Sequence, residues 1–204
     1  MERAHASTRR LFVGLRVASD AAGRVARRVR PALIEGGGAE PDGLVVYAGR
    51  DLHLTLCFLG ALGPDSCARF AGVLQEEVRG LVAPDLWLSD TGGFPSLAQP
   101  RVLWAGVREA EPSCGRLGAL HNRVLQAALS IGWRPGARAR GRPFAPHVTL
   151  ARVRAGGPRI PPAFGRMALD ERWLPLEVEL MESCPDGQER YRTLASVPLV
   201  VQPG

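Results

Sequence analysis

One short word is written twice in this chain, and it limits the possible folds more than any other feature. The first copy, His53-Leu54-Thr55-Leu56, stands inside the stretch Asp51 to Gly60. The second, His147-Val148-Thr149-Leu150, stands inside Pro143 to Arg152. Apolar residues at every second place mark both as β-strands. Side chains alternate across a strand, so His53 and Thr55 share one face while Leu54 and Leu56 take the other. His147 and Thr149 repeat the arrangement over Val148 and Leu150. Each copy therefore offers an imidazole and a hydroxyl together on a rigid element whose other face suits a core.

Taken singly, a strand histidine is more often a hydrogen-bonded structural residue than a catalyst. Repetition reverses that weighting. The histidines are His5, His53, His121 and His147, and the threonines are Thr8, Thr55, Thr91, Thr149 and Thr193. Chance would give two such pairings on the order of a few times in a thousand from composition. Two imidazoles facing each other across a cleft supply one general acid and one general base. His5 and His121 fall outside the motifs and read as bystanders.

At 204 residues the chain is expected to form a single domain over 1–204, made of two lobes sharing a core. The strand-like stretch Leu11 to Leu15 is broken by Arg16 and reads as a first strand rather than a signal peptide. No apolar run reaches the length of a bilayer span. Cys57, Cys67, Cys114 and Cys184 include no Cys-x-x-Cys pair, as expected for reduced thiols in a cytoplasmic protein. The net charge is +6, and all 26 basic residues are arginine. Between Glu111 and Asp170 no acid occurs, while Arg116, Arg123, Arg134, Arg138, Arg140, Arg142, Arg152, Arg154, Arg159 and Arg166 do. That distribution suits an anionic partner, and an arginine fork suits phosphate. It also suits a merely soluble basic face.

In chain order, Arg10 to Val17 reads as a strand. Ser19 or Asp20 is expected to cap a helix running to about Glu35, with Val25, Val29 and Leu33 on one face. Leu44 to Tyr47 leads to the first motif strand, and Gly63-Pro64-Asp65 opens a second helix. Asp85 to Asp90 reads as a strand and Thr91 to Ser96 as a turn-rich linker. Arg101 to Val107 is a strand and Ser113 to Ile131 a helix. A loop rich in Gly, Pro and Arg runs from Arg134 to Pro146 into the second motif. Leu174 to Met181 and Tyr191 to Val200 read as a hairpin turning at Pro185-Asp186-Gly187. Strand, helix, loop and motif strand thus run from Leu11 to His53 and again from Arg101 to His147. The expected fold is α+β: two pseudo-symmetric lobes of mostly antiparallel sheet with outer helices, and a central cleft carrying both motifs.

The paired His-x-Thr-x motifs, with Leu54-Thr55-Leu56-Cys57-Phe58-Leu59-Gly60 after the first His and Pro146-His147-Val148-Thr149-Leu150-Ala151-Arg152 around the second, resemble the 2H phosphoesterases. The similarity is to the bacterial RNA 2′,3′-cyclic phosphodiesterase branch, historically called 2′-5′ RNA ligase. Arg10-Leu11-Phe12-Val13, Arg101-Val102-Leu103-Trp104 and Ser183 to Tyr191 resemble further stretches of that family. The resemblance implies opening of a 2′,3′-cyclic phosphate at an RNA end to a 2′-phosphate, with His53 as proton donor and His147 as proton acceptor. Thr55 and Thr149 would donate hydrogen bonds to phosphate oxygens. The resemblance also implies that Phe58 and Arg152, five places after each His, sandwich the terminal base. Simple alternation puts an odd offset on the wrong face, so that role requires a bulge or a strand end; otherwise Phe58 reads as a core residue and Arg152 as a solvated charge.

His53 and His147 have no Cys, Asp or Glu at metal-ligand spacing apart from Asp51, so no metal and no cofactor are expected. The expected partners are RNA ends or nucleotides bearing a cyclic phosphate, without a membrane, for a chain that works as a monomer. The competing readings are the reverse reaction, joining ends through a 2′-5′ linkage, a cyclic phosphodiesterase for a small nucleotide, and a non-catalytic RNA-binding module.

Overall fold

The computed structural model describes residues 8–34, 38–110, 115–136, 141–184 and 189–202. Strand β1 (Arg9–Arg16) passes into helix α1 (Ser19–Leu33), then β2 (Leu44–Val46) and the first motif strand β3 (His53–Leu62). Helix α2 (Pro64–Val78) is followed by β4 (Leu86–Phe94), β5 (Val102–Glu109) and helix α3 (Arg116–Ser130). The second motif strand β6 (His147–Val153) precedes β7 (Ala168–Trp173), β8 (Glu177–Ser183) and β9 (Tyr191–Pro198). Among the described residues nine strands form one sheet in the order β7-β4-β5-β6-β3-β1-β8-β9, with β2 alongside β6. The pairings between these strands are antiparallel.

The order is symmetric about the junction of β3 and β6. One half is β6, β5, β4, β7 and the other β3, β1, β8, β9. In each half the motif strand lies beside the strand that opens its sequence repeat, β1 for β3 and β5 for β6. The mostly antiparallel α+β sheet with helices read from the sequence is observed, its two halves joined in one continuous sheet, with one addition. The helices cross over: α1 packs on β7 of the other half, and α3 packs on β3. Each half therefore borrows the helix of its partner to cover its apolar face.

The junction itself is narrow. Leu54 and Val148 are partners across it, and both are fully buried. Burying such a side chain contributes roughly 1.5–3 kcal/mol, so this pair is the apolar rivet between the halves. On α1, Val25, Val29 and Leu33 are buried at helical spacing; on α2, Phe70, Leu74 and Val78; on α3, Leu117, Leu120 and Val124.

Three local readings change. Ala18 occupies the cap of α1 and no side chain caps it; Ser19 and Asp20 lie within the first turn. Asp20 there accepts from the Ala21 amide, which holds its carboxyl below the usual range. The stretch from Thr91 is not a linker, because β4 continues to Phe94. Its glycines serve close packing rather than turning: a Cβ on Gly92 would collide with the Trp104 ring. Strand β7 has no clear sequence signal, since only Leu169 and Trp173 of its six residues are buried. The expected turn at Pro185-Asp186-Gly187 lies outside the described residues, as do His5, Cys114, Arg138 and Arg140. Among the described residues no helix is long and apolar enough to cross a membrane.

Candidate active site

Antiparallel pairing of Leu54 with Val148 fixes what surrounds that pair. Residue 53 comes nearest residue 149, and residue 55 nearest residue 147. Leu54 and Val148 point into the core, so His53, Thr55, His147 and Thr149 share the opposite face. The two motifs are related by the pseudo-twofold of the sheet, and their imidazole and hydroxyl groups alternate across the junction. Gly14, on the neighbouring β1, lets that strand lie close against β3: a Cβ there would stand 2.7 Å from the Leu54 carbonyl oxygen.

Both motif strands carry a bulge at the same place. In β3, Cys57 pairs with Val13 and Thr55 with Gly14, leaving Leu56 as the extra residue. In β6, Ala151 pairs with Leu103 and Thr149 with Trp104, leaving Leu150 as the extra residue. An extra residue shifts the alternation by one. Leu56 and Cys57 are consecutively buried, then Phe58 is exposed; Leu150 and Ala151 are consecutively buried, then Arg152 is exposed. The bulges therefore bring Phe58 and Arg152 onto the face of the histidines despite their odd offset. Phe12, the partner of Phe58 in the ladder, stacks on His53 at 4.8 Å.

A bulge takes a carbonyl out of the ladder, and each of these finds a donor. The Leu56 oxygen accepts from His121 Nδ1 at 3.0 Å. The Leu150 oxygen accepts from the Tyr47 backbone amide at 2.9 Å. His121 is thus no bystander. It also stacks flat on Phe144, centroids 4.0 Å apart, in the loop that delivers His147. Burial lowers its pKa, against the bond to the Leu56 carbonyl.

The two motif imidazoles make the same local bond. His53 Nδ1 lies 2.8 Å from the Asp51 carbonyl, and His147 Nδ1 lies 2.8 Å from the Ala145 carbonyl. A neutral ring donates from Nδ1 to such an oxygen and keeps its lone pair on Nε2, the tautomer an acid/base pair needs. Their surroundings differ. His53 is only 7% exposed, with Phe12 on its face and the Tyr191 ring edge-on at 4.7 Å. Burial pushes its pKa down to about 4, helped by the charges of Arg16, His147 and Arg152 and opposed by the Asp51 carbonyl. His147 is half-buried, with Phe94 edge-on at 5.2 Å.

Arg152 Nε donates to the Tyr47 hydroxyl at 2.9 Å, and the Arg190 guanidinium lies 4.5 Å over the Tyr47 ring. Burial and the neighbouring Tyr47 hydroxyl raise the pKa of Tyr191. Arg16 binds Glu179 at 2.9 Å, and Thr193 also bonds that otherwise buried carboxylate. The surroundings of His53 thus come from Phe12 of β1 and Tyr191 of β9, with Tyr47, just after β2, behind Tyr191, all far apart in sequence, which no local spacing reveals. Phe94 was hidden by the glycines before it. Among the described residues no three of His, Cys, Asp and Glu gather as a metal site.

A model of the 2′-5′ RNA ligase superfamily matches residues 18–183. The chain is 31% identical over 155 residues to an RNA 2′,3′-cyclic phosphodiesterase of Geobacillus stearothermophilus, a match covering 75% of this chain and 47% of that protein. It is 31% identical over 151 residues to a protein of the same name from Archaeoglobus fulgidus, covering 74% of this chain and 76% of that one. The chain thus spans about half the length of the Geobacillus relative. A crystal structure from Thermus thermophilus matches the fold with a TM-score of 0.71 at 25% identity, over 93% of this chain and 97% of that one.

Proposed function

Since the chain belongs to the 2′-5′ RNA ligase superfamily, we propose that it hydrolyses 2′,3′-cyclic phosphate ends of RNA to 2′-phosphates, acting as one unit over its whole length. The observation that carries this reading is the pairing of the two His-x-Thr strands at Leu54 and Val148, with both Nδ1 atoms tied to carbonyls. Each imidazole then has Nε2 left for proton transfer. Relatives named RNA 2′,3′-cyclic phosphodiesterase support the substrate class.

In this mechanism water attacks phosphorus and the P–O3′ bond breaks. His147 Nε2 takes the proton from water, and His53 Nε2 delivers one to the departing O3′. Thr55 and Thr149 donate to the phosphate oxygens as charge gathers there. Phe58 and Arg152 hold the terminal base between a ring and a guanidinium. The low pKa of His53 adds a requirement. In the free protein His53 is neutral near pH 7, so it must gain its proton as the phosphate arrives. The negative charge of the phosphate acts in that direction, against the pull of Arg16 and Arg152.

The test is product identification on a short RNA ending in a 2′,3′-cyclic phosphate, run in excess chelator. The expected product is the 2′-phosphate, at an unchanged rate. A 3′-phosphate product, an unreacted end, or activity that disappears with chelation and returns with a divalent ion would overturn the reading.

A further inference from the structure

Of the two groups assigned to the terminal base, each leans on a ring from a neighbouring stretch of chain. Phe58 leans on Phe12, its ladder partner on β1, with ring centroids 6.0 Å apart. Arg152 is exposed, and a long side chain of this kind has much rotamer freedom to lose on binding. What it meets is Tyr47. Val45 is the ladder partner of Arg152, so Tyr47, two places further on, shares its face of the sheet. There Arg152 Nε donates to the Tyr47 hydroxyl at 2.9 Å.

Tyr47 is a fixed point for that bond. It is only 4% exposed, and its backbone amide donates to the Leu150 carbonyl at 2.9 Å. The Arg190 guanidinium lies 4.5 Å over its ring, and the Tyr191 ring stands edge-on at 6.4 Å. Arg190 is drawn in turn toward the Asp51 carboxylate, 3.8 Å from its Nε. A guanidinium is planar, so a bond at Nε orients the whole plane and leaves both Nη groups to a ligand. That plane stands near the reacting end, since the charge of Arg152 is among those felt at His53.

We propose that the Tyr47 hydroxyl is a positioning group for the base site: by holding Arg152 at Nε it presets the guanidinium plane opposite Phe58, so that the terminal base of the RNA enters a formed slot. The inference rests on the proposed activity and on the base contacts given with it, and it adds a residue that acts through Arg152 rather than on the substrate. The rotamer freedom of Arg152 is then lost on folding instead of on binding, which favours affinity and leaves the chemistry of the cyclic end untouched.

The test measures kcat and KM on a short RNA ending in 2′,3′-cyclic phosphate for the wild type, Tyr47→Phe, Arg152→Ala, Arg152→Lys and the double variant Tyr47→Phe/Arg152→Ala. Tyr47→Phe keeps the ring beneath Arg190 and the backbone amide on the Leu150 carbonyl, and removes only the acceptor. Its KM should rise about fivefold, with kcat within about twofold of wild type and the pH profile of kcat unmoved. Arg152→Ala should raise KM by about tenfold or more. The double variant should match Arg152→Ala, because a tether with nothing to hold is silent. Arg152→Lys keeps the charge but gives up the plane and the Nε donor, so its KM should follow Arg152→Ala. That arm leaves buried Tyr47 intact and decides the matter even where Tyr47→Phe does not fold. A Tyr47→Phe protein or an Arg152→Lys protein that binds like wild type would overturn the proposal. So would a Tyr47→Phe loss that persists in full in the Arg152→Ala background. A fall in kcat at unchanged KM, or a displaced pH profile, would show the hydroxyl acting on His53 through Tyr191 and would also overturn it. If Arg152→Ala costs nothing, the base contacts fail and the inference with them. If the wild type leaves the cyclic end unreacted, the proposed activity fails, and the tether is decided by the affinity of the same variants for the RNA ending in a 2′-phosphate, read by fluorescence anisotropy: the same ranking upholds it and equal affinities overturn it.

Discussion

The two motif strands share a sequence word, a bulge and an Nδ1 bond of the same length, yet their histidines live in different media. His53 is buried against Phe12 and Tyr191, while His147 is half-buried beside an exposed Phe94. The bulge carbonyl of β3 is held by a side chain, His121, and that of β6 by the backbone of Tyr47. The repeated word gives each strand the same reactive groups; burial among its own neighbours lowers the proton affinity of His53. For His53 that burial runs against the proposed part of proton donor, so the charge of the arriving phosphate must restore its proton before the acid and base can act together.

The largest effect should come from removing either partner. His53→Ala and His147→Ala should each lower kcat by about 10² to 10⁴, the usual size of a general acid or base contribution. Thr55→Ala and Thr149→Ala should cost less, each removing one hydrogen bond among several. A steady-state assay on the cyclic-ended RNA checks the ranking, and a Thr variant slower than both His variants would break it.

The second effect concerns stability and belongs to the first motif. The folded pKa of His53 is about 4 against 6.5 unperturbed. The unfolded chain therefore binds its proton first as pH falls. The stabilising preference for the neutral ring is full above about 6.5 and is lost progressively toward 4, by about 3 kcal/mol at pH 4. Urea unfolding at pH 7 and pH 4 should show the wild type losing about that much more than His53→Gln. Identical pH dependence in the two proteins would mean that burial does not set this histidine apart.

Much of this comparison was legible in the sequence. The alternation around His53 and His147 placed both on strands, and the repeated order of strand, helix and motif strand gave the symmetry of the sheet. The bulges were legible only as one of two ways, with a strand end, to reconcile the odd offsets of Phe58 and Arg152 with the histidine face. What decides the environment was not legible. Tyr191 and Phe12 reach the site from separate strands and Tyr47 from just after β2, through tertiary pairing, and Gly92 reads as a turn although it makes room for Trp104. His121 read as a bystander because its function is to satisfy a carbonyl that exists only once the strand has bulged.

That residue gives the smallest effect and sharpens the contrast. His121→Ala leaves the Leu56 carbonyl without its donor, at a cost of about 1–3 kcal/mol in stability, and should slow turnover by a few-fold through the displaced first motif. His121→Gln, which can donate from its amide, should recover much of both. The second motif offers no such variant: Tyr47→Phe keeps the backbone amide and should leave the β6 bulge intact. Equal stability of His121→Ala and wild type in urea would show that the bulge does not depend on its side-chain donor.

The two unlike histidines should act as a single device, and turnover of the cyclic-ended RNA by folded His53→Ala, His147→Ala and the double variant tests this most directly. The double variant should lie within about tenfold of the slower single variant, far short of the product of the two losses, because groups that act in one step are not additive. Losses that multiply, or a single variant with near wild-type turnover, would contradict it.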